Sequence, residues 1–373
     1  MCATLPAYKG AAMEAQMQDS ALFSDYVELV RGVQKALRED ASPIPWQQRY
    51  AGYMQAIQKN LPAASAARKA FPRDVRPFHC YTRIGLLKDS PCDFDLRFLG
   101  QSVGTLRVEN GRTRLLVGAV DTEDKIDDDW AHGKQSHKFR QDFENLAGED
   151  SDHMPKSVEH MVESALFTEL GKKTSDTKEL TGIQPVTIED VPDTRFHMKT
   201  ALSASELLKG KPPRLAKGPT GGEIDIFCRW RRGNQSRLTD IELKKNSDIP
   251  FKSVLRQAIA YAVFIRELAR SASGAEWMRL WRPGNKPWQG ESITINAVAA
   301  TPMPKDEPDL SFAGMRLPVE GGGPTDFIEL HWLGLTGADP ESWRAGREGH
   351  AGKEPEPVRF VTSLGTSKSS PRG

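Results

Sequence analysis

Within residues 221–270 the chain changes its apolar period from two to that of a helix, and no other stretch restricts the fold as tightly. In GGEIDIFCRW, Ile224, Ile226 and Cys228 fall on one side of an extended segment and Asp225 and Phe227 on the other, because successive side chains of a strand point to opposite faces. In RLTDIELKKN, Ile241 and Leu243 share one face while Asp240, Glu242 and Lys244 share the opposite one. From residue 253 onward Val254, Leu255, Ala258, Ile259, Ala262, Val263 and Ile265 recur at helical spacing. Two strands and a helix are predicted, with Gln257 and Tyr261, four residues apart, on one helix face.

Neighbouring strands lie about 5 Å apart, so Asp225 and Glu242 can reach one hard divalent cation, which takes carboxylate oxygens, and Lys244 falls beside it. A cation held there polarises a phosphoryl oxygen and lowers the pKa of a bound water, while a lysine ammonium stabilises charge on the phosphate. The competing explanation is an edge strand whose charged face is solvated. The order G-x-I-D, I-E-L-K-K, R-Q-A-I-A-Y resembles the PD-(D/E)xK nuclease superfamily, in particular the branch with a Gln-x-x-x-Tyr helix seen in RecB-type and Holliday-junction-resolvase-like nucleases. That resemblance implies that Asp225 and Glu242 bind Mg²⁺, with Mn²⁺ as a substitute, that Lys244 is catalytic, and that Gln257 and Tyr261 support the site or the DNA. Ile224 stands where the family's name has proline. The resemblance also implies a glutamate from the helix before the sheet. PKSVEHMVESALFTEL carries Val158, Met161, Val162, Ala165 and Leu166 on one stripe, and Glu159 lies nearer its centre than the rival, Glu163.

The implied fold is α/β, with a restriction-endonuclease-like core (helix, three strands, helix, strand; a mixed sheet flanked by helices) and an N-terminal α+β domain. The expected divisions are 1–138, 139–340 and a polar tail over 341–373. The first core strand is expected over 195–202, followed by a loop over 209–222, and later strands over 293–299 and 327–333. Upstream, residues 13–38 and 46–59 read as helices, the second ended by Pro62. From Asp93 strand alternation sets in, and Asn110-Gly111 marks a hairpin turn. The acidic run over 121–130 reads as a loop without the glycine and terminal glutamate of an EF-hand.

With 51 basic and 50 acidic residues the chain is not a uniformly basic nucleic-acid binder. Positive charge for DNA has to be local, and Arg229, Arg231, Arg232, Arg237, Lys244, Lys245, Lys252, Arg256, Arg266 and Arg270 crowd the proposed site. Cys2, Cys80, Cys92 and Cys228 form no C-x-x-C pair, no P-loop motif occurs, and no apolar run approaches the roughly 18 residues of a membrane span. A cytoplasmic setting without a membrane partner is the expectation. DNA is the expected partner, whether duplex, branched or single-stranded, and a homodimer or partner protein at the N-terminal domain stays open. The alternative function is a catalytically inactive nuclease-fold module for nucleic-acid binding or assembly. Trp277, Trp281 and Trp288 either stack on bases or pack under the connection they occupy.

Overall fold

A computed structural model describes residues 21–72, 74–118, 125–146, 158–171, 180, 182–188, 191, 194–209, 211–215, 221–232, 235–244, 250–281, 290–302, 310–321, 324–336 and 359–362, and among them these periodicities resolve into two large sheets, two two-stranded pairs and seven helices. Helix α1 (Ala21–Arg38) precedes α2 (Trp46–Lys69). Pro62 lies inside α2 and does not end it. Met54 and Ile57 before the proline and Ala64 and Ala67 after it are all buried, and that burial offsets the lost backbone hydrogen bond.

Strands β1 (His79–Arg83), β2 (Asp93–Phe98), β3 (Gln101–Glu109) and β4 (Arg112–Val117) pair antiparallel in sequence order, with a register shift between Leu96 and Arg97 in the β2–β3 pair and the short helix α3 (Ile84–Asp89) after β1. Asn110 (φ 51°) and Gly111 (φ 74°) supply the two left-handed residues of the expected turn. The acidic run is not all loop. Ile126–Asp129 forms β5 on the edge of β4, where Arg114 pairs with Asp127 at 2.7 Å, because alternate acids can face an arginine across the ladder.

Helices α4 (Lys134–Leu146) and α5 (Val158–Gly171) follow, then β6 (Ile183–Pro185) and β7 (Arg195–His197). The first strand expected over 195–202 is corrected here: β7 runs parallel to β1 and closes the six-stranded sheet β5-β4-β3-β2-β1-β7. The rest of that segment forms β8 (Lys199–Thr200) and β9 (Leu202–Ser203), which pair with β11 (Gly222–Glu223) and β10 (Arg214–Leu215) respectively, so the stretch expected as a loop over 209–222 carries a short strand within it and another at its end. A 3₁₀ turn over Ser205–Lys209 lies between.

The larger sheet is built from β12 (Ile226–Arg232), β13 (Gln235–Leu243), β14 (Thr294–Pro302), β15 (Arg316–Val319) and β16 (Asp326–Thr336), in the order β15-β16-β14-β13-β12-β6. Strand β12 is antiparallel to both β6 and β13, and β13 and β14 are parallel, joined through α6 (Phe251–Ala269) and α7 (Gly274–Trp281). Within the tail, Arg359–Thr362 adds β17 to β16, and the other residues after 336 lie outside the described ones.

One hydrophobic core joins α1, α2, α6 and the face of the large sheet that carries Phe227, Ala297 and Leu330. Trp46 and Tyr50 of α2 meet Phe264 of α6 at ring-centroid distances of 5.4 and 5.2 Å. Segments on both sides of residue 139 therefore share a core and, through β7, a sheet. Trp277 and Trp281 are wholly buried against Tyr50 and Phe227, which leaves neither ring free for a base; Trp288 lies outside the described residues. A second core lies on the other face, where Ile226, Cys228, Ile241 and Leu243 cover Val162, Leu166 and Phe167 of α5. No helix among the described residues is long and apolar enough to cross a membrane.

Candidate functional site

Strand β13 is interior, with β12 on one side and β14 on the other, so its charges do not face water. Its backbone alternation sends Ile241 and Leu243 toward α5 and Asp240 and Glu242 toward α6, and both carboxylates have no solvent exposure. The solvated-edge explanation for the charged face fails on this point.

Asp225 sits at a bend immediately before β12, one step beyond the register pair Ile226 and Ile241. The strict alternation expected from Ile224 stops there, and Ile224 joins Phe227 in the α6-side core. The Leu243 amide donates to Asp225 Oδ2 at 2.8 Å, and the Asp225 amide donates to Glu242 Oε1 at 3.4 Å. Lys244, just past β13, extends across the sheet's end. Its Nζ lies 2.9 Å from Glu159 Oε1 of α5 and 3.7 Å from Asp225 Oδ2, and donates to the Leu243 carbonyl at 2.6 Å. A helix and two strands thus bring Asp225, Glu242, Lys244 and Glu159 together.

Loss of solvent pushes the Asp225 carboxyl up to about 7, although the Lys244 ammonium pulls the other way. Burial, and then the charges of Asp225 and Asp240, drives Glu242 well above the usual carboxylate range; burial and then Asp225 do the same to Asp240. Lys244 is disfavoured by burial, but Asp225, Glu242 and Glu159 outweigh it and raise its pKa. Glu242 Oε2 and both oxygens of Asp240 are buried and accept no hydrogen bond. Among the described residues no group of three or more His, Cys, Asp and Glu side chains is assembled to hold a metal ion. The Lys244 ammonium lies between Glu159 and Asp225 as the cation there.

Gln257 and Tyr261 are both buried on the face of α6 that looks at this end of the sheet, and Gln257 hydrogen bonds with the Tyr261 side chain. The Ala204 amide donates to the Tyr261 hydroxyl at 3.4 Å, and burial followed by the Glu242 charge raises its pKa. A Cβ on Gly222 would fall onto that hydroxyl and 2.6 Å from the Leu202 carbonyl oxygen, so glycine there admits the tyrosine.

The relation expected between the two helix glutamates is reversed in burial. The Glu163 side chain is 9% exposed, whereas that of Glu159 is 31% exposed. Helix α5 is covered on two sides, by the large sheet and by the β2–β3 turn, and a single-stripe reading counts only one. Sequence reasoning named Asp240 without assigning it a place in the site, although its position two residues before Glu242 was the signal. Several of the basic residues expected near DNA are committed elsewhere: Arg266 and Arg270 hold Asp326 at 2.8 and 2.6 Å, and Arg237 holds Glu329 at 2.6 Å. Lys245 lies outside the described residues.

No known protein family has a model that matches this chain, and comparisons with curated proteins and with solved structures find no match.

Proposed function

We propose that this chain is a metal-dependent nuclease that hydrolyses DNA phosphodiester bonds at Asp225, Glu242, Lys244 and Glu159, with Gln257 and Tyr261 supporting them. One observation carries the reading. Three carboxylates and a lysine from a helix and two strands converge at the end of an interior strand, where Glu242 Oε2 is buried without a hydrogen-bond partner. Burying carboxylates without full pairing is costly, and such groups concentrate where chemistry needs them. The connectivity α5, β6, β12, β13, α6, β14 supports a restriction-endonuclease-like core of helix, three strands, helix and strand, with Ile183–Pro185 as its first strand.

The chemistry of the donors suits a hard cation such as Mg²⁺, or Mn²⁺ in its place, since each is a carboxylate oxygen and Glu242 Oε2 lacks a hydrogen-bond partner, although the three are not gathered around one point while Lys244 lies between Glu159 and Asp225. Asp225 and Glu242, with Glu159 from the helix, would hold it. When bound, such a cation supplies Lewis-acid polarisation of a phosphoryl oxygen and a water of lowered pKa. Lys244 stays protonated among the carboxylates and stabilises negative charge developing on the phosphate. Tyr261, hydrogen-bonded to Gln257, fixes the segment that leads into Asp225 by packing its hydroxyl against Gly222.

The test is incubation of the purified protein with circular and linear DNA, and with RNA, in Mg²⁺, Mn²⁺ or EDTA. Cutting is expected with either metal and not with EDTA. Asp225→Ala, Glu242→Ala and Lys244→Ala are each expected to lower it by on the order of 10²-fold or more while leaving the protein folded. Cutting that survives all three substitutions, or folded wild-type protein that cuts nothing in either metal, refutes the reading.

A further inference from the structure

Polar side chains around α5 continue the site into the N-terminal sheet. Arg97 of β2 is 9% exposed; its guanidinium donates to Asp95 Oδ2 at 2.9 Å and to His197 Nδ1 at 3.0 Å, and lies over the Tyr81 ring, 4.6 Å from its centroid. Asp95 is fixed in turn by the Ser102 hydroxyl at 2.6 Å. So held, Arg97 Nη1 faces Glu163 Oε1 of α5 at 3.9 Å, while His160 Nδ1 approaches Glu163 Oε2 at 3.6 Å. Glu163 Oε1 is buried and accepts no hydrogen bond, and one helical turn earlier Glu159 Oε1 of the same helix meets Lys244 Nζ at 2.9 Å.

The backbone enforces the same approach. The two-residue turn between β2 and β3 has Leu99 at φ 46° and Gly100 at φ 82°. A Cβ on Gly100 would strike the His160 carbonyl, one residue after Glu159. Leu99 packs into both hydrophobic cores, which is what holds a non-glycine residue in the left-handed region.

We propose that Arg97 is a positioning residue for the candidate site, acting through Glu163, so that the six-stranded N-terminal sheet completes the site. The inference rests on the nuclease reading and adds to it the part played by the first half of the chain. Arg97 fixes the helix that presents Glu159 to Lys244, without touching DNA or metal. Groups of this kind, which hold metal-binding side chains in place, typically change metal affinity by about 10- to 100-fold when removed.

The experiment measures Mn²⁺ binding to DNA-free protein by electron paramagnetic resonance, and DNA cutting across a Mn²⁺ titration. The variants are Arg97→Met, Arg97→Lys, Glu163→Gln and the double Arg97→Met/Glu163→Gln. Arg107→Met is the control, because it removes a comparable pair, with Asp93 at 2.7 Å, from the same sheet. Folding is checked by circular dichroism and melting temperature. Arg97→Met and Glu163→Gln are each expected to raise the half-saturating Mn²⁺ concentration roughly tenfold, the double variant to add little more, Arg97→Lys to recover part of the loss, and Arg107→Met to match wild type. A folded Arg97→Met protein with wild-type Mn²⁺ dependence, or strictly additive effects in the double variant, overturns the proposal and leaves the nuclease reading intact. If Arg97→Met does not fold, Arg97→Lys and Glu163→Gln decide, and wild-type Mn²⁺ dependence in both overturns it. Wild-type protein that neither binds Mn²⁺ nor cuts overturns both.

Discussion

Replacing Asp225 by Asn should make the protein more stable at neutral and alkaline pH. The Asp225 carboxyl is raised from an ordinary 3.8 to about 7, a shift of roughly three pH units that amounts to about 4 kcal/mol at 1.36 kcal/mol per unit. Between those two values the folded chain binds the proton and the unfolded chain does not, so stability falls as pH rises from about 4 to about 7, and above that the full penalty is present. Asparagine never ionises, and its side-chain oxygen can still accept the Leu243 amide. The side chain is 26% exposed, and solvent reaching it makes 4 kcal/mol an upper figure. Urea unfolding at several pH values is the assay. Asp225→Asn and wild type should unfold alike near about pH 4 and differ by about 2–4 kcal/mol near pH 8, with the variant more stable. A difference that stays flat over that range, or a variant less stable at pH 8, refutes the claim that the folded site forces charge onto Asp225. Gained stability with lost cutting is the trade expected of a residue kept for chemistry.

Two further outcomes are expected. Gly222→Ala drives a methyl group onto the Tyr261 hydroxyl and the Leu202 carbonyl and should cost about 1–3 kcal/mol in urea unfolding, with activity per folded molecule falling as well because the segment leads into Asp225. Asp326→Ala removes a wholly buried carboxylate that accepts from Arg266 and Arg270 and the Ile293 amide, and should destabilise by about 3–5 kcal/mol without changing the Mg²⁺ dependence of cutting.

The parts of the fold that were legible in the sequence are those whose period repeats locally. Strand β13 and helix α6 declare themselves over nine and nineteen residues. Strand β6, with three residues, is too short to show alternation, so the place beside β12 was assigned to the longer alternating run over 195–202, which the β1 edge captures instead. The helix through Pro62 was hidden because its stabilisation comes from tertiary burial. In the site, Asp225, Glu242 and Lys244 were readable since two adjacent strands bring near neighbours in sequence together. Arg97 was not, because 66 residues separate it from Glu163 and nothing in its own strand marks the contact. The burial of Glu163 depends on a second cover for α5, which no helical periodicity reports.

Strand β17 has a consequence for handling the protein. Strand β15 covers β16 from Asp326 to Glu329, and β17 covers it from Leu333 to Thr336, so two short pieces of chain together guard one edge of the larger sheet. A truncation before Arg359 bares the backbone donors and acceptors of the second half, next to the buried Leu333 and Leu335. Open strand edges of this kind recruit strands from other molecules. A shortened chain should therefore self-associate as its concentration rises, by a route that has nothing to do with nucleic acid.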